Sequence, residues 1–294
     1  MFDLKTIRTI KLLEETLQGY HKNNKTLGFV PTMGALHNGH MSLLQESIKK
    51  NDYTVCSIYV NPRQFNDKKD LLNYPRSEQK DIIKLQQINC NVVFIPSDKE
   101  VNMIRDVEYN FTNVVNILEG LKRPGHFLGV IAIIHKLFNI IQPHRAYFGE
   151  KDYQQFWIIS MFKKAYNISV EIQSVPTVRD DSGLALSSRN QFLTNSQKII
   201  ANTLFNSMMK LKEMINVFRE ENPASFLDEN NLKSFKKQVI KDYLSSALIK
   251  LDYFEIIETE NFSFSHSINF NNNYRILIAA YIGKIRLIDN ISLK

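Results

Sequence analysis

Two histidines three residues apart, His37 and His40, lie in the run Pro31-Thr32-Met33-Gly34-Ala35-Leu36-His37-Asn38-Gly39-His40. The run follows a short apolar stretch at residues 26–30 and leads into an amphipathic one at 39–50, so it reads as a strand-to-helix turn. Gly34 and Gly39 permit tight turning and close approach of a ligand to the backbone. A helix N-terminus at that place offers N–H groups and partial positive charge to an anion. Imidazoles on its first turn project to one side, where they can donate hydrogen bonds to phosphate oxygens as charge builds during displacement at phosphorus. Two ordinary loop histidines, or half of a metal site, would show the same spacing.

Three further runs carry usable chemistry. Val60-Asn61-Pro62-Arg63-Gln64-Phe65 places two neutral hydrogen-bonders, Asn61 and Gln64, after a strand-like segment, suited to hydroxyl and carboxylate groups of a small polar substrate. A capped Asn-Pro turn is the commoner reason for such a run. In Phe148-Gly149-Glu150-Lys151-Asp152-Tyr153-Gln154-Gln155, Lys151 can neutralise phosphate and Asp152 can bind a hydroxyl, fix Lys151 or merely cap a helix. Val178-Arg179-Asp180-Asp181-Ser182-Gly183-Leu184-Ala185-Leu186-Ser187-Ser188-Arg189-Asn190 gathers two hydroxyls and a guanidinium, a phosphate clamp or an exposed flexible hinge. Arg123-Pro124-Gly125-His126-Phe127 is a weaker candidate for substrate contact, and His135 reads as a core histidine. The sequence has no zinc-spaced Cys/His cluster, nucleophile elbow, P-loop or nicotinamide-type glycine fingerprint.

The elements that must position these residues follow from periodicity. Helical spacing of Ile7, Ile10, Leu13 and Leu17 is followed by short apolar strands at 26–30, 53–60, 91–95, 145–148 and 168–175. Between them come helices near 39–50, 77–87, 129–141 and 153–166. Such alternation predicts βαβ units and an α/β, Rossmann-like, doubly wound parallel sheet. Residues 97–118 break the rhythm as an insertion with its own short strands. Beyond Pro176 a long helix capped by Thr194, with Ile199, Leu204, Met208, Leu211 and Ile215 in phase, precedes a helix at 232–248 and strands at 251–257, 275–282 and 284–288. This predicts a nucleotide- and substrate-binding domain over 1–177 and a smaller α+β lid domain with antiparallel pairing over 178–294.

Composition sets the outer bounds. Of 294 residues, 44% are hydrophobic and 23% charged, as in a globular chain, and no apolar run approaches the ~18 residues of a membrane span. Cys56 and Cys90 lie in apolar stretches and read as buried thiols of a cytoplasmic protein. The surplus of 37 basic over 30 acidic residues favours anionic partners, but the basic pairs are scattered without interleaved aromatics, arguing against nucleic acid.

Taken together, these runs resemble the pantoate–beta-alanine ligase (pantothenate synthetase) family of the H-x-G-H nucleotidyltransferase-like superfamily. Tyr74-Pro75-Arg76, Leu118-Glu119-Gly120, Lys136-Leu137-Phe138-Asn139 and Leu287-Ile288-Asp289-Asn290 extend the likeness over nearly the whole chain. It implies that the carboxylate of pantoate attacks the α-phosphorus of ATP, giving a pantoyl adenylate that beta-alanine then aminolyses. Carried over by motif, Met33, Gly34, Ala35, Leu36, His37, Asn38, Gly39 and His40 line the ATP site, with His40 as proton donor. Gly149, Glu150, Lys151 and Asp152 hold the nucleotide, and Val178, Leu186, Ser187, Ser188 and Arg189 close on it. His37, Lys151 and Arg189 join His40 in catalysis; Gln64 and Gln155 grip pantoate, Gln64 also facing beta-alanine. The resemblance further implies Mg2+ on the ATP phosphates, with Asp81 as an acidic helper, and a homodimer. Departures are the unusual sequence after Pro96, Ala132 in place of a threonine, and His135.

Overall fold

The computed structural model describes residues 4–103, 113–223 and 226–294. The chain divides into two units, Met1–Pro176 and Thr177–Lys294. In chain order the first contains β1 (Lys5–Ile7), α1 (Ile10–Lys22), β2 (Leu27–Thr32), α2 (Asn38–Lys50), β3 (Tyr53–Ile58), α3 (Lys68–Asn73), α4 (Glu78–Gln87) and β4 (Val92–Phe94). Then follow α5 (Asp98–Asn102), α6 (Glu119–Lys122), α7 (His126–Ile141), β5 (Arg145–Gly149), α8 (Tyr153–Ala165) and β6 (Glu171–Val175). The six strands pair in the order β1-β4-β3-β2-β5-β6, every pair parallel.

Successive residues of each strand enter different cores. Phe29, Val55, Phe94 and Phe148 pack with Leu13 and Leu17 of α1, Val130 and Leu137 of α7 and Ile159 of α8. Their neighbours Val30, Cys56, Val93 and Tyr147 pack with Leu43 and Leu44 of α2 and Leu85 of α4. A strand buried on both faces needs apolar residues at both parities, which is why these strands read as continuous apolar runs. The doubly wound sheet expected from the sequence is therefore present, and both cysteines are buried and free.

Three expectations need correction. Ile7 belongs to β1, paired with Phe94, and not to the first helix; Thr9 caps α1 by accepting from the Leu12 N–H at 3.4 Å, so the helix begins at Ile10. The insertion opens with a helix, α5, which Ser97 caps, and Asn113–Asn116 form a 3-10 turn. No strand occurs among its described residues, and 104–112 lie outside them. Ile199 faces solvent, 70% exposed.

The second unit holds α9 (Asn195–Glu221), α10 (Glu229–Tyr243), β7 (Ile249–Glu258), β8 (Ser263–Phe264), β9 (Tyr274–Ile282) and β10 (Ile285–Ser292). Its strands pair antiparallel in the order β10-β9-β7-β8. Thr194 and Gln197 form a capping box at the start of α9. Ala201, Leu204, Met208, Leu211 and Ile215 then recur every three or four residues against Phe254, Ile276 and Ile278 of the sheet. Ile199 stands five residues before Leu204, about 140° off that stripe at 100° per residue, which explains its exposure. Leu204→Ala should cost about 2–5 kcal/mol, whereas Ile199→Ala should stay within about 0.5 kcal/mol. Urea unfolding measures both, and equal losses would contradict this helix phase.

Candidate active site

Strand order reverses at β2 and β5: β3, β4 and β1 extend to one side and β6 to the other. The β2–β5 pairing ends at Phe29–Ala146, yet β2 runs on to Thr32 and β5 to Gly149. A doubly wound sheet opens its ligand crevice beyond the carboxyl ends of such a strand pair. The turn carrying His37 and His40 leaves β2, and the turn carrying Lys151 and Asp152 leaves β5. Asn61 and Gln64 follow β3, the other neighbour of β2.

Backbone donors in the β2–α2 turn are consumed inside the protein. Gly34 N–H donates to Thr32 Oγ1 at 3.2 Å, Ala35 and Leu36 N–H to the two carboxylate oxygens of Asp81 at 2.8 Å each. His37 N–H donates to His40 Nδ1 at 3.3 Å, and Gly39 N–H to His37 Nδ1 at 3.1 Å. The expected anion cradle of open peptide N–H groups is thus filled by side chains, because buried donors must be paired. Asp81, expected as a magnesium helper, has both oxygens engaged on this turn.

With each Nδ1 accepting, the neutral tautomer places the proton on Nε2 of both histidines. Their rings lie 4.2 Å apart between centroids. Removal from water pushes His37 down to about 4, helped by the nearby charges of Lys151 and Lys84. The same desolvation pushes His40 down to about 3, with His37 adding to it. Both are uncharged at neutral pH, so each offers an Nε2–H as a hydrogen-bond donor. For His40, expected to donate a proton, the group available is this Nε2–H of a neutral ring. Because β2 and β5 are neighbouring parallel strands, the turns that leave their carboxyl ends lie side by side, near enough for the charges of Lys151 and Asp152 to act on both rings.

Gln64 ends a 3-10 turn, Pro62–Gln64, and is 8% exposed. Its Nε2 donates to Met33 Sδ at 3.0 Å and its Oε1 accepts from Asn61 Nδ2 at 3.2 Å, which joins the second motif to the first. Asn61 also donates to the Gly129 carbonyl at 3.0 Å and accepts from Arg63 N–H at 3.2 Å, so it serves the turn. Helix α7 presses on this turn at Gly129: a Cβ there would stand 2.6 Å from the Arg63 carbonyl oxygen. His126 Nδ1–H and Arg123 both donate to the Gln64 carbonyl, at 2.8 and 3.2 Å, while Arg123 also donates to His126 Nε2. The weak candidates Arg123 and His126 thereby become the clasp that fixes Gln64.

After β5, Glu150–Asp152 form a single 3-10 turn, with Lys151 Nζ 3.7 Å from Asp152 Oδ1. On α8 the adjacent glutamines differ. Gln154 is buried and bonds Val114, Ile117 and Glu119 of the preceding segment, whereas Gln155 makes no side-chain hydrogen bond among the described residues. His135 is half-buried, packed edge-on against Phe162.

The fourth motif is tied down within the second unit. Arg179 bridges to Ala185, and Leu186 N–H bonds the Val178 carbonyl at 3.0 Å. The Arg179 guanidinium holds both oxygens of Asp289, at 2.5 and 2.9 Å, and stacks 4.1 Å over Phe205. This fixes the role of the C-terminal Asp289. Ser187 accepts from Arg189 N–H and starts the 3-10 turn Ser188–Phe192. The segment read as a phosphate clamp or an exposed hinge thus carries its own internal hydrogen bonds. Residues overlooked in the sequence are Lys84, whose ammonium bonds the Leu36 carbonyl, and Gly129. Nothing in local spacing marks Lys84, and residue 129 stood out only as the start of the expected 129–141 helix.

A family model described as pantoate-beta-alanine ligase matches residues 5–292. A pantothenate synthetase of Azobacteroides pseudotrichonymphae is 38% identical over 98% of this chain and 100% of its own length. One from Thermosipho africanus is 38% identical over 98% and 99%. Among solved structures, a Thermus thermophilus pantothenate synthetase superposes with a TM-score of 0.85 at 30% identity, covering 98% of this chain and 99% of that one. A Francisella tularensis pantoate-beta-alanine ligase complexed with "Beta-gamma ATP" and beta-alanine gives 0.76 at 36% identity, covering 99% and 98%.

Three histidines set a pH dependence of stability. His126 is also pushed down to about 4, by burial and by Arg123. In an unfolded chain each titrates near 6.5. Above that pH both states are neutral there. Below it the unfolded chain binds protons that the folded protein refuses, so stability falls as pH drops from about 6.5 towards 4. Urea unfolding between pH 7.5 and 5 should show this decline, and His126→Asn should lessen its slope by up to about one proton. An unaltered slope in the variant would contradict the assignment.

Proposed function

The chain belongs to the pantoate–beta-alanine ligase family and is an ATP-dependent ligase that joins pantoate to beta-alanine, and from that premise we propose that it works through an enzyme-bound pantoyl adenylate. A carboxylate is a poor acyl donor, and adenylation supplies a leaving group without a protein nucleophile. A carboxylate oxygen of pantoate bonds to the α-phosphorus, and the bond from that phosphorus to the bridging oxygen breaks. Pyrophosphate departs with the electron pair. The amine of beta-alanine then bonds to the acyl carbon, the acyl–oxygen bond breaks, and AMP leaves as pantothenate forms.

In this reading the Nε2–H groups of His37 and His40 donate to the phosphates of ATP, and Lys151 adds positive charge where the leaving group gains negative charge. Donors that are neutral and already oriented need no rearrangement as the transition state forms. Met33, Gly34, Ala35, Leu36, Asn38 and Gly39 form the wall behind the rings, while Gly149, Glu150 and Asp152 face the nucleotide from β5. Gln64 and Gln155 hold the hydroxyl and carboxylate groups of pantoate and align its attack, an alignment that supplies much of such a rate. The family resemblance also assigns Val178, Leu186, Ser187, Ser188 and Arg189 a part in nucleotide binding. Magnesium enters on the ATP phosphates as part of the substrate.

The observation that carries this proposal is that the His37/His40 turn and the Lys151/Asp152 turn leave the carboxyl ends of the neighbouring parallel strands β2 and β5, where their pairing splits. ATP–pyrophosphate exchange should occur with magnesium only when pantoate is present, and His40→Ala should slow it about 100-fold. Exchange without pantoate would favour transfer of a nucleotidyl group to another acceptor. Gln64→Ala should raise the KM for pantoate about tenfold or more while leaving that for ATP nearly unchanged. Equal loss of both would assign Gln64 to the fold.

A further inference from the structure

The turn after β2 passes through two left-handed residues, Gly34 at φ 79° and Ala35 at φ 50°. For Ala35, which carries a Cβ, that conformation is sterically disfavoured, so something must hold it. The restraint comes from α4. Asp81, 1% exposed, gives one carboxylate oxygen to Ala35 N–H and the other to Leu36 N–H, and takes a third bond from the Ser77 hydroxyl at 3.2 Å. One helical turn further on, the Lys84 ammonium donates to the Leu36 carbonyl. The Leu36 residue is therefore gripped at both its N–H and its C=O, immediately before His37.

Consecutive peptide N–H groups in a turn of this kind form a concavity suited to an anion. Here the protein fills it with its own carboxylate. A nucleotide phosphate cannot use those donors while Asp81 occupies them, which leaves the imidazoles as the side chains that this turn offers to it. At Gly34 a Cβ would stand 3.2 Å from Asp81 Oδ2, which shows how closely the acid is seated.

We propose that Asp81 and Lys84 form a clamp that positions the His37/His40 pair and directs phosphate recognition to their rings. Both residues lie outside the H-x-G-H run, 41 to 47 positions along the chain from the histidines they orient. Asp81 acts through the turn and touches no substrate; Lys84 also brings its charge close to both rings. The proposal rests on the nucleotide reading given above.

The test separates kcat from KM in pantoate-dependent ATP–pyrophosphate exchange for Asp81→Asn, Lys84→Met and Lys84→Arg, with His40→Ala as reference and thermal unfolding of each. An amide at 81 keeps the size but turns an N–H towards one of the two backbone donors. Displacement of the rings should lower kcat about 100-fold, with the KM for pantoate within about threefold of the parent. Lys84→Met should lower kcat in the same sense, and Lys84→Arg should restore most of it. A folded Asp81→Asn protein with near-parental kcat, while His40→Ala is impaired, would overturn the clamp and leave the nucleotide reading standing. An unimpaired His40→Ala would overturn both. If Asp81→Asn does not fold, unchanged kinetics in Lys84→Met overturn the proposal.

Discussion

A buried donor or acceptor must find a partner, and at the β2–α2 turn that requirement decides how the candidate site is built. Five backbone N–H groups between Gly34 and Gly39 would otherwise point at whatever enters the crevice. Each is instead taken by a side chain: Thr32, Asp81 twice, His40 and His37. The consequence is a division of labour. The backbone is held by internal bonds, and in the proposed mechanism the imidazole Nε2–H groups are the donors offered to the ligand. Because each Nδ1 is held as an acceptor, the tautomer is set before anything binds.

The same economy of partners governs the substrate side. Asn61 and Gln154 look chemically equivalent to Gln64 and Gln155, yet both are committed to carbonyls and amides of neighbouring segments. Gln64 is gripped through its main-chain carbonyl by Arg123 and His126, which holds its amide against Met33. Gly129 admits helix α7 to that turn, since any larger residue would meet backbone atoms of Arg63 and Gln64. Three motifs distant in sequence thus share one small framework around the ends of β2, β3 and β5.

Much of this was legible from residue order. Strands buried on both faces announce themselves as apolar runs, and the helices between them require parallel pairing, so the sheet followed from Phe29, Val30, Val55 and Cys56 and their counterparts. Local spacing also located the paired histidines, the Lys151 turn and the Thr194 cap. Ile7 and Ile199 were misassigned because one apolar residue at roughly the right interval satisfies a helical stripe on paper; pairing with β4 and the true phase of α9 decide otherwise.

Residue identity and local period determined the architecture and the four motifs, because each depends on side-chain chemistry and on neighbours a few positions away; the class of reaction came through the family resemblance that those motifs carry. Tertiary structure alone decided which polar groups remain available. Whether Asp81 faces a metal or a peptide, whether His40 carries charge, and whether Gln154 or Gln155 is spent on the fold depend on partners brought from 35 to 46 residues away or on loss of water around a ring. Hydrogen-bond saturation and desolvation arise only once the chain has closed on itself, and sequence spacing carries no record of them.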